Sequence, residues 1–262
     1  MLAAVKLQSA DEVWARIEAI ARERPGGVVA TDGDGTLWSG DVGEDLFHAF
    51  LDRGRVEPPA EEELRREARD HGLSDVGRGV DVARRLYAAY VEGKFPEERI
   101  CELMAWCFGG WTEGELRRFA REVVDGGNLA TRLHGEVGRV LSRVRGAGID
   151  IVLVSASPRA VVVEAGSRVG IAAEDVVAAS PPIDGDLVRP HVARPIPYGD
   201  GKVARLRERI GAEREIYAAF GDNSFDVALL SSARVSVAVR PKPRLRARAH
   251  EVTGLVELAQ ER

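Results

Sequence analysis

Cysteine is almost missing from the 262-residue chain: Cys101 and Cys107 are the only two. They are too few for a disulfide framework and have no His or Cys partner at zinc-ligand spacing, so core packing is their expected role. The five histidines form no metal-ligand pattern either. Long apolar runs are also missing, and none approaches the roughly 20 residues of a membrane span. Residues 1–8 are too short and too weakly apolar for a secretory signal, so a soluble cytoplasmic protein is expected. Excess positive charge is lacking too, since 37 Lys and Arg stand against 42 Asp and Glu, a net charge of −5. That balance offers no surface for nucleic acid or for an acidic membrane. There is no internal repeat and no low-complexity segment.

What is present is a chain 45% hydrophobic and 30% charged, enough for one large domain or two modest ones. The stretch Val28-Val29-Ala30-Thr31-Asp32-Gly33-Asp34-Gly35-Thr36-Leu37 organises it. Its valine-rich half reads as a buried strand, and that strand stops at two aspartates separated and followed by glycine. Carboxylates at a strand end are costly to desolvate, and open α/β sheets bind ligands at that edge. The plainer reading of Asp-Gly is an ordinary turn.

Before this stretch, Ser9-Ala10-Asp11-Glu12 is a capping-box pattern followed by apolar residues at helical spacing. After it, residues 41–127 read as helical throughout, with segments over 46–51, 60–70, 80–91, 97–108 and a last helix capped by Thr112 with Glu115 three residues on. From Leu133 the rhythm changes to alternating helix and strand. Strands are expected over 149–154, 216–220 and 235–239, helices over 137–144, 161–169 and 202–210, a hairpin or flap between 180 and 199, and a basic helix after Pro241. This pattern predicts an α/β fold, a doubly wound parallel sheet with an inserted α-helical cap domain. The core would comprise 1–40 and 128–262, the cap 41–127, with hinges near 38–43 and 126–128.

Polar clusters stand at the carboxyl ends of three predicted strands: Asp32-Gly33-Asp34-Gly35-Thr36, Ser155-Ala156-Ser157-Pro158, and Gly221-Asp222-Asn223-Ser224-Phe225-Asp226. Lys202 opens a helix before the last. In a parallel sheet those ends share one edge, so the clusters can converge. Their order and placement resemble the four motifs of the haloacid dehalogenase superfamily. Ser155-Ala156-Ser157-Pro158, Val237-Ala238-Val239-Arg240-Pro241 and the helical insert resemble its phosphoserine-phosphatase-like branch.

The residue types suit phosphoryl transfer. A carboxylate about 4 Å from a phosphate dianion is repelled by roughly 8 kcal/mol at an effective dielectric of 20, near a millionfold in rate. Neutralising cations are required. The resemblance implies Mg²⁺ held by Asp32, the backbone carbonyl of Asp34 and Asp222, with Asp226 assisting directly or through another ligand. Lys202 supplies a point charge to the nucleophile and the phosphoryl oxygens. Ser155, with backbone amides of Gly33, Gly35, Thr36 and Ala156, donates to those oxygens. Asp32 would become an aspartyl-phosphate, with Asp34 as acid and then base. In the resemblance phosphatases keep a second aspartate at position 34 and dehalogenases do not, which favours a Mg²⁺-dependent phosphatase acting on a small phosphomonoester.

Each residue also has a plainer role: Lys202 as a solvated helix start, Ser155 as an N-cap, Asp226 as a helix surface residue. Asp41 and Glu44 match the region of substrate contact, yet an acidic helix N-terminus explains both. Trp38 reads as packing between domains or as facing a cationic headgroup such as choline. Phe225 stands where phosphoserine phosphatases usually carry asparagine, which weakens any case for phosphoserine itself. Rival readings are a phosphotransferase with an acceptor other than water, a phospho-acceptor signalling domain of the receiver type, and an idle binding protein. The chain is expected to be a monomer or homodimer.

Overall fold

A computed structural model describes residues 5–260, so the expectations for residues 1–8 and for the chain ends fall partly outside the described residues. The chain opens with β1 (Lys6–Gln8) and α1 (Ala10–Glu23), the latter carrying the predicted capping box between Ser9 and Glu12. Then comes β2 (Val28–Thr31), buried at all four positions, as a strand covered on both faces must be. Five helices follow without a strand between them: α2 (Val42–Arg53), α3 (Pro58–Asp70), α4 (Gly79–Val91), α5 (Glu97–Trp106) and α6 (Glu113–Gly126). The alternation begins with α7 (Gly135–Gly146), β3 (Asp150–Pro158), α8 (Arg159–Ser167) and β4 (Val176–Ala179). A hairpin of β5 (Ile183–Asp184) and β6 (Leu187–Val188) occupies the segment expected to hold a flap. The chain closes with α9 (Asp200–Ile210), β7 (Ile216–Gly221), α10 (Val227–Ser231), β8 (Val235–Ala238), α11 (Pro243–Arg248) and β9 (Val256–Leu258).

Among the described residues the main sheet has seven strands in the order β1-β9-β8-β7-β2-β3-β4, all paired in parallel. From β2 the chain winds outward through β3 and β4, then returns to the other side through β7, β8 and β9. The ends of β2, β3 and β7 therefore flank the point where winding direction reverses, which is where a parallel sheet opens a crevice. Alternation splits the strands between two cores: Val29, Leu153 and Phe220 face one, Val28, Ala30 and Val152 the other. The first core runs on into the helical insert through Leu46, Phe47, Phe50, Phe108 and Trp111. No helix among the described residues is long and apolar enough to cross a membrane.

Candidate active site

Asp32 is the first residue past β2, and its amide still donates to the Phe220 carbonyl at 2.9 Å, so the β2–β7 ladder carries it to a set position. Lys202, in the first turn of α9 and fully buried, donates from Nζ to Asp32 Oδ1 at 2.6 Å and to Asp226 Oδ1 at 2.5 Å. The other Asp226 oxygen accepts the amides of Asp222 and Asn223 at 3.0 and 2.9 Å. Thr36 Oγ1 lies 3.3 Å from Asp32 Oδ2. Burial alone would lower the lysine's pKa, but Asp226 and Asp32 outweigh it and hold Lys202 above the ordinary lysine range. Burial pushes Asp32 well up; Lys202 pulls it back, while Asp226 and Asp222 push the same way as burial. The contact with a charged Lys202 calls for an ionised Asp32. Its upward push comes first from burial and then from the negative charges of Asp226 and Asp222 on the cavity floor, which a further cation would offset.

Asp32, Asp222 and Asp226 each present an oxygen within 4.8 Å of the others. Asp222 is 1% exposed, yet neither of its oxygens receives a hydrogen bond. Lys242 Nζ forms an ion pair 2.8 Å from Asp222 Oδ2. Burial and then the Asp226 charge push the Asp222 carboxyl up to about 6, with Lys242 opposing them. A buried carboxylate with free lone pairs beside two others fits a hard divalent ion. Gly35, at φ +81°, makes the close approach possible, since a Cβ there would lie 2.2 Å from Asp222 Oδ2.

The Asp34 side chain stands apart from this cluster. Its Oδ1 accepts the Trp38 indole N–H at 2.8 Å and the Val42 amide at 2.7 Å, and its Oδ2 accepts the Ser157 hydroxyl at 2.7 Å. Burial pushes its pKa up while these three donors pull it back. Asp34 is thus a carboxyl oriented by three uncharged donors with its pKa raised by burial, and Asp32 a carboxylate against an ammonium.

A cavity of about 370 Å³ lies above this floor. Of the residues singled out from sequence, Asp32, Asp34, Gly35, Asp41, Glu44, Ser155 and Ala156 line it. Lys202, Asp222, Asp226 and Thr36 are buried outside that lining, and Gly33 packs instead against the Trp38 ring. Ser155 is not an N-cap, because it lies within β3, where its hydroxyl accepts the Ser157 amide at 3.1 Å and α8 begins only at Arg159. Asp41 caps α2, accepting the Glu44 amide at 2.8 Å, while also facing the cavity, so both of its readings describe its position. Burial, followed by the charges of Asp34 and Glu44, pushes its carboxyl well up. Trp38 is fully buried against Asp34, which leaves no room for the reading that faces a cationic headgroup. Cys107 is core as expected, but Cys101 contributes to the cavity wall. A second hollow of about 440 Å³ behind Tyr198 and Phe225 holds none of the motif carboxylates.

Sequence reasoning missed four residues here. Ser157 belongs to the polar cluster over 155–158, and nothing in the sequence pairs it or Trp38 with Asp34. Lys242 and His134, whose Nδ1 lies 2.9 Å from the Thr36 carbonyl, carried no local signal.

A parallel α/β sheet that gathers three carboxylates and a buried lysine at its switch point, beneath a helical insert, defines a class of hydrolase. The haloacid dehalogenase-like hydrolase family model matches residues 29–231, and the chain belongs to that family. No curated protein matches the chain. Solved structures share the fold at low identity. A protein of unknown function from Bordetella pertussis Tohama I is 20% identical at a TM-score of 0.66, over 88% of this chain and 97% of its own. A functionally unknown protein from Anaerococcus prevotii DSM 20548 is 14% identical at 0.67, over 97% and 92%. A substrate-bound phosphoserine phosphatase is 12% identical at 0.51, over 89% and 93%.

Proposed function

We propose that this protein is a Mg²⁺-dependent phosphatase that hydrolyses a small phosphomonoester through an aspartyl-phosphate on Asp32. The observation that carries the reading is the contrast between two carboxyls on one cavity: Asp32 bonded to a buried ammonium, and Asp34 turned onto three uncharged donors. Phosphoester cleavage needs one of each. Asp32 attacks phosphorus while Lys202 holds its second oxygen in place and offsets charge on the phosphoryl group. Asp34 gives its proton to the departing alkoxide, then takes one from the water that hydrolyses the acyl phosphate. Ser157 follows this change, donating to Asp34 when the carboxylate is ionised. The Ser155 hydroxyl and the amides around Gly35 and Ala156 are donors for the phosphoryl oxygens. Asp32, Asp222 and Asp226, with the Asp34 carbonyl, would hold Mg²⁺, which supplies charge neutralisation at the phosphoryl group.

In this reading residues 41–127 act as a cap that excludes water during phosphorylation of Asp32. The cap side of the cavity bears Asp41, Glu44 and Glu97, a setting that disfavours polyanionic alcohols such as nucleotides. Phosphate release from a generic aryl phosphate tests the reading. Release that needs Mg²⁺ and stops on chelation is expected, and no release from that ester or from a panel of small phosphomonoesters would overturn it.

A further inference from the structure

Lys242 is the one cavity-lining lysine, and the family motifs as read above give it no role. It forms the N-cap of α11 between Pro241 and Pro243, and its amide donates to the Asp222 carbonyl at 2.8 Å. The flanking prolines and that bond fix the backbone, while the four-carbon stem stays free to turn. Its ammonium lies 2.8 Å from Asp222 Oδ2 with the side chain 51% exposed, whereas Lys202 is at 0% and bonded to two carboxylates. One lysine is locked and the other can leave.

The charges give it a reason to leave. Asp32, Asp222 and Asp226 outnumber the two ammoniums by one, so the floor attracts a cation. Apart from the Lys242 ammonium, the Asp222 oxygens have no partner, so their lone pairs are available to whichever cation stands nearest. A divalent ion on Asp222 would repel the Lys242 ammonium, and the open side available to that ammonium is the cavity where phosphate would sit.

We propose that Lys242 is an exchangeable counter-ion: it neutralises Asp222 in the metal-free protein, gives way to a divalent cation there, and then binds the phosphoryl oxygens of the substrate. The last step rests on the phosphatase reading; the exchange at Asp222 does not.

Calorimetric titration of the metal-free protein with Mg²⁺, and of the Mg²⁺-loaded protein with inorganic phosphate, tests it in the wild type, Lys242→Met and Lys242→Arg. Removing the competing charge should tighten Mg²⁺ binding several-fold in Lys242→Met and lower the melting temperature of its metal-free form. Phosphate should bind the loaded Lys242→Met about tenfold more weakly, the worth of one charge-assisted contact. Lys242→Arg, which keeps the charge, should stay close to the wild type in Mg²⁺ affinity. Mg²⁺ affinity that is unchanged or weaker in Lys242→Met overturns the exchange, and unchanged phosphate affinity overturns the contact with substrate. Neither titration involves turnover, so a failure of the phosphatase reading, seen as no phosphate release, is separable from both.

Discussion

At the scale of single residues, the first aspartate loop was legible because its chemistry is local: two carboxyls and two glycines within four positions, at the end of an apolar run. What sequence could not show is which groups hold each carboxyl. Asp34 is oriented by Ser157 from 123 positions away, and Lys202 reaches Asp32 across 170. Such partners are brought together only by the order of the strands. Ser157 gives the sharpest test of Asp34 as an acid. Its hydroxyl donates to Oδ2 and pulls the Asp34 pKa down against burial, so Ser157→Ala should raise that pKa. The acid role needs the protonated form, so the alkaline limb of the kcat profile should move to higher pH, with kcat at the optimum falling roughly tenfold for the lost orienting bond. A fall in kcat with an unmoved limb would place Ser157 in the fold and not in the acid's environment.

At the scale of elements, the long amphipathic helices and the buried valine runs were readable, and all five helical segments expected over 46–126 are present. The misses are the shortest strands. β1 and β9 have three residues each, and β4 is a four-residue run directly after a turn. A strand of three residues cannot establish a period of two, and β1 exposes Leu7 while depending on β9, some 250 residues away, for its hydrogen bonds. The basic segment after Pro241 was expected as a closing helix, but α11 ends after six residues and the chain returns to the sheet as β9. Capping signals were more reliable, because they are complete within four residues. Thr112 accepts the Glu115 amide at 3.2 Å at the start of α6, as the sequence pattern predicts. Thr112→Ala should therefore cost about 1 kcal/mol in denaturant unfolding and leave kcat unchanged. Lost activity at undiminished stability would mean that the cap of α6 contributes to the site itself.

At the scale of the whole molecule, the sheet and the helical insert divide the work. The sheet brings motif residues nearly 200 positions apart to one edge, and the insert supplies α2 and α5 to the cavity wall. The two are joined by more than apolar packing. Arg194, in the segment leading to α9, makes two bonds of 2.7 and 2.8 Å to the buried Glu102 of α5, and Arg244 of α11 reaches Glu97 at 2.9 Å. The hairpin adds backbone bonds to the insert, from Gly110 to Val188 and from Val188 to Trp111, both at 2.9 Å. None of these links was legible beforehand, since arginines are common on any surface and ion pairs have no sequence period. Which residues of the insert line the cavity belongs to this scale too, because it depends on how the insert docks on the sheet. The account as a whole depends on Asp32 being the atom donor to phosphorus. Its most direct test is Mg²⁺-dependent phosphate release from an aryl phosphate by the wild type and by Asp32→Asn, at matched folding and matched metal loading. The account predicts release by the wild type and none by Asp32→Asn; undiminished turnover by Asp32→Asn would contradict it.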